Sequence, residues 1–262
     1  MSAIQTDGRI REERHLQICD LLRQKGAIGV TEMAKLFKVS EMTIRRDLTE
    51  LEQLGKLHRT HGGAVAARTD DYEPPYIIRA SENVHEKRII GRAAADLVSD
   101  GDVIILDVGT TPLQVAKHLA SGKRVTVLTN WIPNVLVLSK KQGVDTILMG
   151  GAVRPEELSL VGGMTEEFFQ RFNANKLFLG VGGVSLEKGL TDYRMDEVEA
   201  KKTMLKVTQK AILVADHTKF ERVAPIKIAP ISVIHTVVTD SGISEDMREN
   251  LLRLGIEVLV AQ

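Results

Sequence analysis

From residue 103 to residue 260 the chain repeats one pattern, a short apolar run followed by a longer amphipathic segment. The runs Val103–Asp107, Val125–Thr129, Thr146–Met149, Lys176–Val181, Lys210–Ala215, Ile234–Thr239 and Ile256–Val260 have strand length and buried-type composition. A helix at 86–98 precedes them, and segments 112–120, 132–141, 165–173, 196–208 and 244–254 alternate with them at helical spacing. Strands separated by helices predict a largely parallel sheet covered by helices, an open α/β domain.

The first sixty residues follow another pattern, three helices and then a hairpin. Ile10, Leu16, Ile18, Cys19, Leu21 and Leu22 give a first amphipathic helix ending near Gly26. Thr31 is expected to cap a second helix that turns Met33, Ala34 and Phe37 inward. Ser40 caps a third, whose inner face is Ile44, Leu48, Leu51 and Leu54 and which stops at Gly55. Two short strands follow, 56–60 and 61–65. Residues 66–76 then lose periodicity and carry Pro74-Pro75, so the expected division is a winged helix-turn-helix at 1–65, a linker at 66–80 and an α/β domain at 81–262.

A helix-turn-helix reads DNA with the outer face of its second helix. Here that face carries Glu41, Met42, Thr43, Arg45, Arg46 and Thr49, with Arg45 and Arg46 placed for guanine edges or phosphates. The helix starts near Thr31 and Ser40 offer amides to phosphates, and Lys56, His58, Arg59 and His61 offer further backbone contacts. Charge agrees in direction: the first 68 residues hold 12 Lys/Arg against 9 Asp/Glu in a chain with 35 of each. A solvated face, with Asp47, Glu50 and Glu52 close by, would carry similar charges.

In the α/β domain the chemistry gathers where strands end. Asp107 closes a strand, Gly109 frees the backbone, and Thr110 and Thr111 precede Pro112, expected as the first residue of a helix. Such a turn suits a phosphate, and it is also how an ordinary strand-to-helix connection is built. Thr129-Asn130, Gly150-Gly151, Gly180 to Gly183 and Asp216 to Lys219 follow later strands, with Glu199 and Lys201 on the helix before the fifth. Trp131 reads as packing or as a pocket rim. Tyr72 and Tyr76 read as a domain or dimer contact, and His85, His118 and His235 show no metal-ligand spacing. Cys19, the single cysteine, precludes an intrachain disulfide and fits a reducing cytosol. No cofactor, metal, membrane span or secretory signal is called for, so a cytoplasmic protein is expected.

The run from Val39 to Leu48, then Leu51, Leu54 to Leu57, Arg59 and His61 to Ala64, closely resembles the DeoR family of bacterial regulators. Its landmarks recur downstream as Asp107-x-Gly-Thr-Thr111, Thr129-Asn130, Gly150-Gly151, Arg154, Glu199-x-Lys201 and Asp216 to Phe220. The resemblance spans residues 9 to 260. It implies a winged helix-turn-helix with Thr43, Arg45 and Arg46 on the recognition helix. It also implies a sensor domain resembling ribose-5-phosphate isomerase and coenzyme A transferases. A phosphosugar would be held by Thr110, Thr111 and Lys219, with Asp107, Asn130, Glu199 and Asp216 facing its hydroxyls. Gly109, Gly150, Gly151, Gly183 and Lys201 complete the expected site. Two positions depart from the family: Gly180-Val-Gly-Gly183 replaces a Gly-x-Asp-Gly pattern, and Thr218 replaces a serine.

The function implied is a repressor of a sugar-metabolism operon, bound to double-stranded operator DNA as a homodimer or homotetramer and controlled by a phosphorylated sugar. The alternative is an enzyme, a sugar-phosphate isomerase with a DNA-binding appendage. It is weakened by the missing carboxylate at 180–183, although Glu199 or Asp216 remains available as a base.

Overall fold

The computed structural model describes residues 3–25, 27–60, 62–66, 73–74, 76–155 and 157–262. His61 and most of the expected linker lie outside the described residues. The chain divides into two compact units, Met1–Pro75 and Tyr76–Gln262.

In the first unit α1 (Ala3–Lys25), β1 (Ala27–Gly29), α2 (Val30–Phe37), α3 (Glu41–Gln53), β2 (Leu57–Thr60) and β3 (Gly63–Ala66) enclose a core built on Ile18, Leu22, Met33, Ile44, Leu48, Leu51 and Leu57, with Cys19 buried beside them. The α3 spacing puts Ile44, Leu48 and Leu51 on one stripe, and Ser40 caps the helix by accepting from the Thr43 amide (3.1 Å). Two expectations need correction. The residue preceding α2 is Gly29, and Thr31 lies within the helix, its hydroxyl turned to Glu41 instead. Leu54 is the C-terminal cap of α3 and is 40% exposed, so it leaves the inner face. The hairpin also gains a third strand, too short to show periodicity: β1 pairs with β3, placing Ile28 opposite Ala64.

The second unit opens with α4 (Tyr76–Ser81), a helix within a segment whose sequence shows no periodicity. It continues through α5 (Val84–Asp96), β4 (Val103–Leu106), α6 (Thr110–His118), β5 (Val125–Thr129), α7 (Ile132–Leu138), β6 (Val144–Leu148), β7 (Ala152–Arg154), β8 (Ser159–Val161) and α8 (Gly163–Phe169). Then follow β9 (Ala174–Leu179), β10 (Gly183–Ser185), β11 (Gly189–Asp192), α9 (Met195–Lys206), β12 (Thr208–Val214), β13 (Ile226–Ala229), β14 (Thr236–Asp240), α10 (Glu245–Arg253) and β15 (Glu257–Ala261). The seven expected runs are the seven strands of one parallel sheet, shifted by at most two residues at either end. Their order is β15-β14-β12-β9-β4-β5-β6. The chain builds outward from β4 through β5 to β6, then returns to the other side of β4 with β9. The winding therefore reverses between β4 and β9.

Alternate residues of each strand feed opposite faces, which is why these runs are apolar throughout. Ile104, Leu106, Val127, Phe178 and Ile212 pack under α5, α6 and α7. Ile105, Leu128, Leu177, Leu179 and Leu213 pack against α8, α9 and α10. That second face is also lined by a small antiparallel sheet of β10, β11 and β13, contributing Val184, Leu190 and Ile228. This sheet and the β7–β8 hairpin are additional to the expected elements. No described helix is long and apolar enough to cross a membrane.

Helices α5 and α6 meet at Gly91, where a Cβ would stand 2.2 Å from Gln114 Cβ and 2.6 Å from its backbone carbon. The backbone of α6 cannot yield as a side-chain tip can. Gly91→Ala is therefore expected to cost about 1–3 kcal/mol by overpacking, read as a lower urea midpoint with an unchanged m-value.

Candidate nucleic-acid interface and ligand-binding site

Helix α2 ends at Lys38, a left-handed residue (φ 53°, ψ 42°), and Ser40 begins α3, so the two helices are joined by a tight turn. The Thr31 hydroxyl donates to Glu41 Oε1 (2.7 Å), bringing the starts of α2 and α3 together. Glu41, Met42, Arg45 and Arg46 are exposed along one face of α3, with Thr43 partly covered by its bond to Ser40. Among the described residues, Arg45 pairs with Glu41 and Arg46 with Glu50, each at 3.6 Å, contacts that such exposed arginines readily exchange. In the wing, Arg59 is exposed and donates to Thr49 (2.7 Å), while Lys56 is half-buried.

Asp47, one of the charges that the alternative of a solvated face leans on, is 1% exposed. It accepts from Arg14 Nε (2.6 Å) and Nη2 (3.1 Å) and lies 3.1 Å from His15 Nε2. A buried ionic lock thus fixes α3 to α1, with Arg45 on the far side of the helix and Arg46 beside Glu50, which also pairs with Arg11 of α1.

In the second unit the candidate site lies where the sheet reverses, the crevice in which open α/β sheets generally take ligands. Asp107 follows β4 and Gly180 follows β9, and the Gly180 amide donates to Asp107 Oδ2 (3.0 Å). Beneath them lies the ammonium of Lys201, from α9. It donates to Asp107 Oδ2 and to the Gly180 carbonyl (2.9 Å) and stands 3.3 Å from Asp192 Oδ2. Burial alone would pull the Lys201 pKa down, but Asp107, Asp192 and Glu197 together hold it above the ordinary lysine range. Burial raises Asp107 and Glu197, opposed by Lys201 in both cases and by Arg154 at Glu197.

After Asp107 the chain passes Gly109 at φ 142°, a conformation that L side chains rarely adopt, and enters α6 at Thr110. Pro112 is therefore third in the helix, not first. The first intrahelical bond, from the Leu113 amide to the Gly109 carbonyl (3.0 Å), leaves the amides of buried Thr110 and Thr111 outside the helix ladder. Asn130, after β5, donates to the Leu160 carbonyl (2.9 Å). Asp216, after β12, accepts at Oδ1 from the Thr218 amide (3.1 Å) and from Asn83 Nδ2 (3.1 Å). Among the described residues, Asp107 Oδ1, Asn130 Oδ1 and Asp216 Oδ2 are buried acceptors without a partner. Lys219 is half-buried in the next turn. Burial lowers its pKa, and Asp216 works against that.

Other expected residues lie outside this group. Glu199 pairs with Lys202 (2.9 Å) and lines a separate open cleft of about 510 Å³ with Glu166, Tyr193, Arg194, Met195 and Asp196. On a helix, positions two apart face different sides, so Glu199 cannot share the face of Lys201. The carboxylate that does is Glu197, four residues before Lys201, which accepts from Ser159 Oγ (3.0 Å) and pairs with Arg154. Asp192 was likewise missed. Gly150 and Gly151 lead into the β7–β8 hairpin, where the Gly150 carbonyl accepts from Thr165 (2.6 Å), and Gly183 begins β10. A Cβ at Gly182 would stand 2.7 Å from the Tyr193 ring, so this departure from Gly-x-Asp-Gly makes room for an aromatic side chain. Trp131 is buried, donating to the Glu157 carbonyl (2.6 Å) and packing edge-on to Tyr76, so it is a packing residue.

Two family descriptions match. The DeoR-like helix-turn-helix domain covers residues 14–70, and the DeoR C terminal sensor domain covers residues 82–241. The chain is 34% identical over 252 residues to the HTH-type transcriptional repressor GlcR of Bacillus subtilis (strain 168), covering 96% of this chain and 97% of that one. It is 32% identical over 229 residues to the glycerol-3-phosphate regulon repressor of Escherichia coli (strain K12), covering 87% and 90% respectively. Among solved structures, ribose 5-phosphate isomerase A of Methanocaldococcus jannaschii aligns with a TM-score of 0.39 and 16% identity, over 53% of this chain and 55% of that one.

The geometry around Lys201 carries a direct expectation. Lys201→Met leaves Asp107 and Asp192 without their buried cation, while Glu197 keeps Arg154, and should destabilise the protein by roughly 3–5 kcal/mol. Adding Asp107→Asn should recover part of that loss. Equal urea midpoints for the single and double variants would show that the cluster is not coupled.

Proposed function

The chain belongs to the DeoR family of transcriptional regulators, and we propose that it is a repressor of a sugar-metabolism operon whose hold on operator DNA is set by a phosphorylated sugar in the second unit. The DNA-facing half of the reading rests on α3, which presents Arg45 and Arg46 outward while Asp47 locks the helix to α1. Thr31, Ser40, Glu41, Met42, Thr43, Lys56, Arg59 and His61 are the accompanying contacts, directed at phosphates and base edges. Such a protein works in the cytosol, and as a homodimer or homotetramer it would match a symmetric operator. Of the expected linker at 66–80, residues 76–80 belong to α4 of the second unit, so the stretch before Tyr76 would join reader and sensor.

One observation carries the effector half. Three buried acceptor oxygens without partners among the described residues, on Asp107, Asn130 and Asp216, stand at the ends of β4, β5 and β12. Buried acceptors cost free energy until donors reach them, and a polyol supplies hydroxyl donors. The amides of Thr110 and Thr111 at the start of α6 and the ammonium of Lys219 suit the anionic end of the same molecule. Among the expected residues, Lys201 acts from beneath by fixing Asp107, and Gly109, Gly150, Gly151 and Gly183 shape the backbone.

The relatives with established names are regulators, and the sugar phosphate is accordingly read as a signal rather than a substrate. The effector works only by binding two protein states unequally. A thermal-shift panel of D-ribose 5-phosphate, D-glucose 6-phosphate and D-fructose 6-phosphate, each beside its unphosphorylated sugar, tests this. Saturation at about 100 times Kd adds ~2.7 kcal/mol of stability. Lys219→Ala should leave folding and operator binding close to wild type. It should raise the sugar phosphate needed for half response at least roughly tenfold, one charged hydrogen bond being worth about 1.5–3 kcal/mol. Equal stabilisation by the unphosphorylated sugar would remove the phosphate from the reading. At the other end, Arg45→Ala or Arg46→Ala should weaken operator binding by about 1–3 kcal/mol with relaxed base preference. Wild-type binding by both variants would remove α3 from its assigned role.

A further inference from the structure

We propose that the corner between α4 and α5, residues 76–87, is the element through which the occupied sugar-phosphate site acts on the DNA-reading unit. The proposal rests on the effector reading above and assigns roles to Asn83, Arg79 and Glu157, none of which belongs to the expected site. Helix α4 is the first element after Pro75, so the polypeptide from the DNA-reading unit enters the second unit through it.

Among the described residues, Asn83 and Arg79 tie this corner to groups on or beside the site. Asn83 Nδ2 donates to Asp216 Oδ1 (3.1 Å) and reaches Thr218 Oγ1 at 3.4 Å. Lys87, 5% exposed, gathers the end of α4 by donating to the carbonyls of Arg79 and Glu82. The Arg79 guanidinium pairs with Glu157, a buried carboxylate between β7 and β8, and the Glu157 carbonyl takes the indole N–H of Trp131. Tyr76 lies edge-on against that indole at 5.6 Å. Trp131 follows Asn130, and the Asn130 carbonyl accepts from the Leu160 amide of β8 (2.8 Å). Arg154 and Ser159 of the same hairpin hold Glu197, which faces Lys201 from one turn earlier on α9.

Asn83 has the geometry of a two-position element. It sits in the left-handed region (φ 49°, ψ 42°), which asparagine enters more readily than other non-glycine residues, so both conformations are open to it. Its amide is tied to Asp216 Oδ1, and among the described residues the other oxygen, Oδ2, has no partner. A ligand hydroxyl donating to Oδ2 re-centres the carboxylate and alters its pull on Asn83. Return of residue 83 to a right-handed conformation would swing α4 on α5 and move the point where the linker attaches.

The full-length chain tests this with two variants. Asn83→Gly deletes the amide yet tolerates the left-handed backbone, and Glu157→Gln cuts the Arg79 anchor at the other end. The probe is whichever of D-ribose 5-phosphate, D-glucose 6-phosphate and D-fructose 6-phosphate most raises the wild-type Tm. In wild type it should change operator affinity by roughly 5–150-fold, and in either variant by less than about threefold, with the Tm increase retained. Hydrogen exchange at 76–83 should respond to the probe in wild type and not in the variants. Full operator response in a folded variant that still binds the probe overturns the corner as transmitter and leaves the effector reading intact. No Tm increase in wild type from any of the three sugar phosphates overturns the effector reading, and the transmitter with it.

Discussion

An ammonium group cut off from water keeps its charge most securely where carboxylates surround it, and the second unit is organised around meeting that condition for Lys201. Its partners come from elements far apart in sequence: Asp107 from the end of β4, Asp192 from β11, Glu197 from the previous turn of its own helix. Gathering them requires β4 and β9 to be neighbours, which the reversal of winding provides, and requires the small sheet to lie against the large one. The cluster contains more carboxylate than it can comfortably ionise, and burial accordingly raises Asp107 and Glu197. Replacing such a cluster entirely by apolar packing is often neutral for stability, so its presence marks a requirement of the site more than of the fold. It holds one oxygen of Asp107 in place, and the other, Oδ1, has no partner among the described residues.

The DNA-reading unit uses the same device for another end. Asp47 lies among exposed charges in sequence, yet Arg14 and His15 draw it inward. The lock orients α3, so the arginines at 45 and 46 need no partner of their own to point outward. Their pairs with Glu41 and Glu50, both at 3.6 Å, are of the weak surface kind.

Much of this architecture was legible because buried parallel strands must be apolar on both faces, and each of the seven runs from Val103 to Val260 carries that mark. What escaped notice was too short for periodicity or owed its order to distant contacts. Strand β1 has three residues, and the β7–β8 hairpin is held by polar links to Asn130 and Glu197. Helix α4 depends on Trp131, Glu157 and Lys87, none within four residues of it in sequence. Site residues divided likewise. Asp107, Thr110, Thr111, Asn130 and Asp216 stand at strand ends, where topology alone brings them together. Glu199 was chosen for its place in a motif, whereas helical spacing points to Glu197. Asp192 could be found only once the small sheet was known.

The buried position of Cys19 gives the molecule a built-in reporter. Cys19 is the single cysteine of the sequence, and it lies in the core of the first unit, 7% exposed. A thiol reagent can reach it only when α1 detaches, so labelling rates count openings of that unit and ignore those of the other. Tryptophan offers the complement, because Trp131, likewise single in the sequence, is buried in the second unit. Each unit therefore carries its own native probe, and their unfolding can be followed separately in one sample without engineered labels.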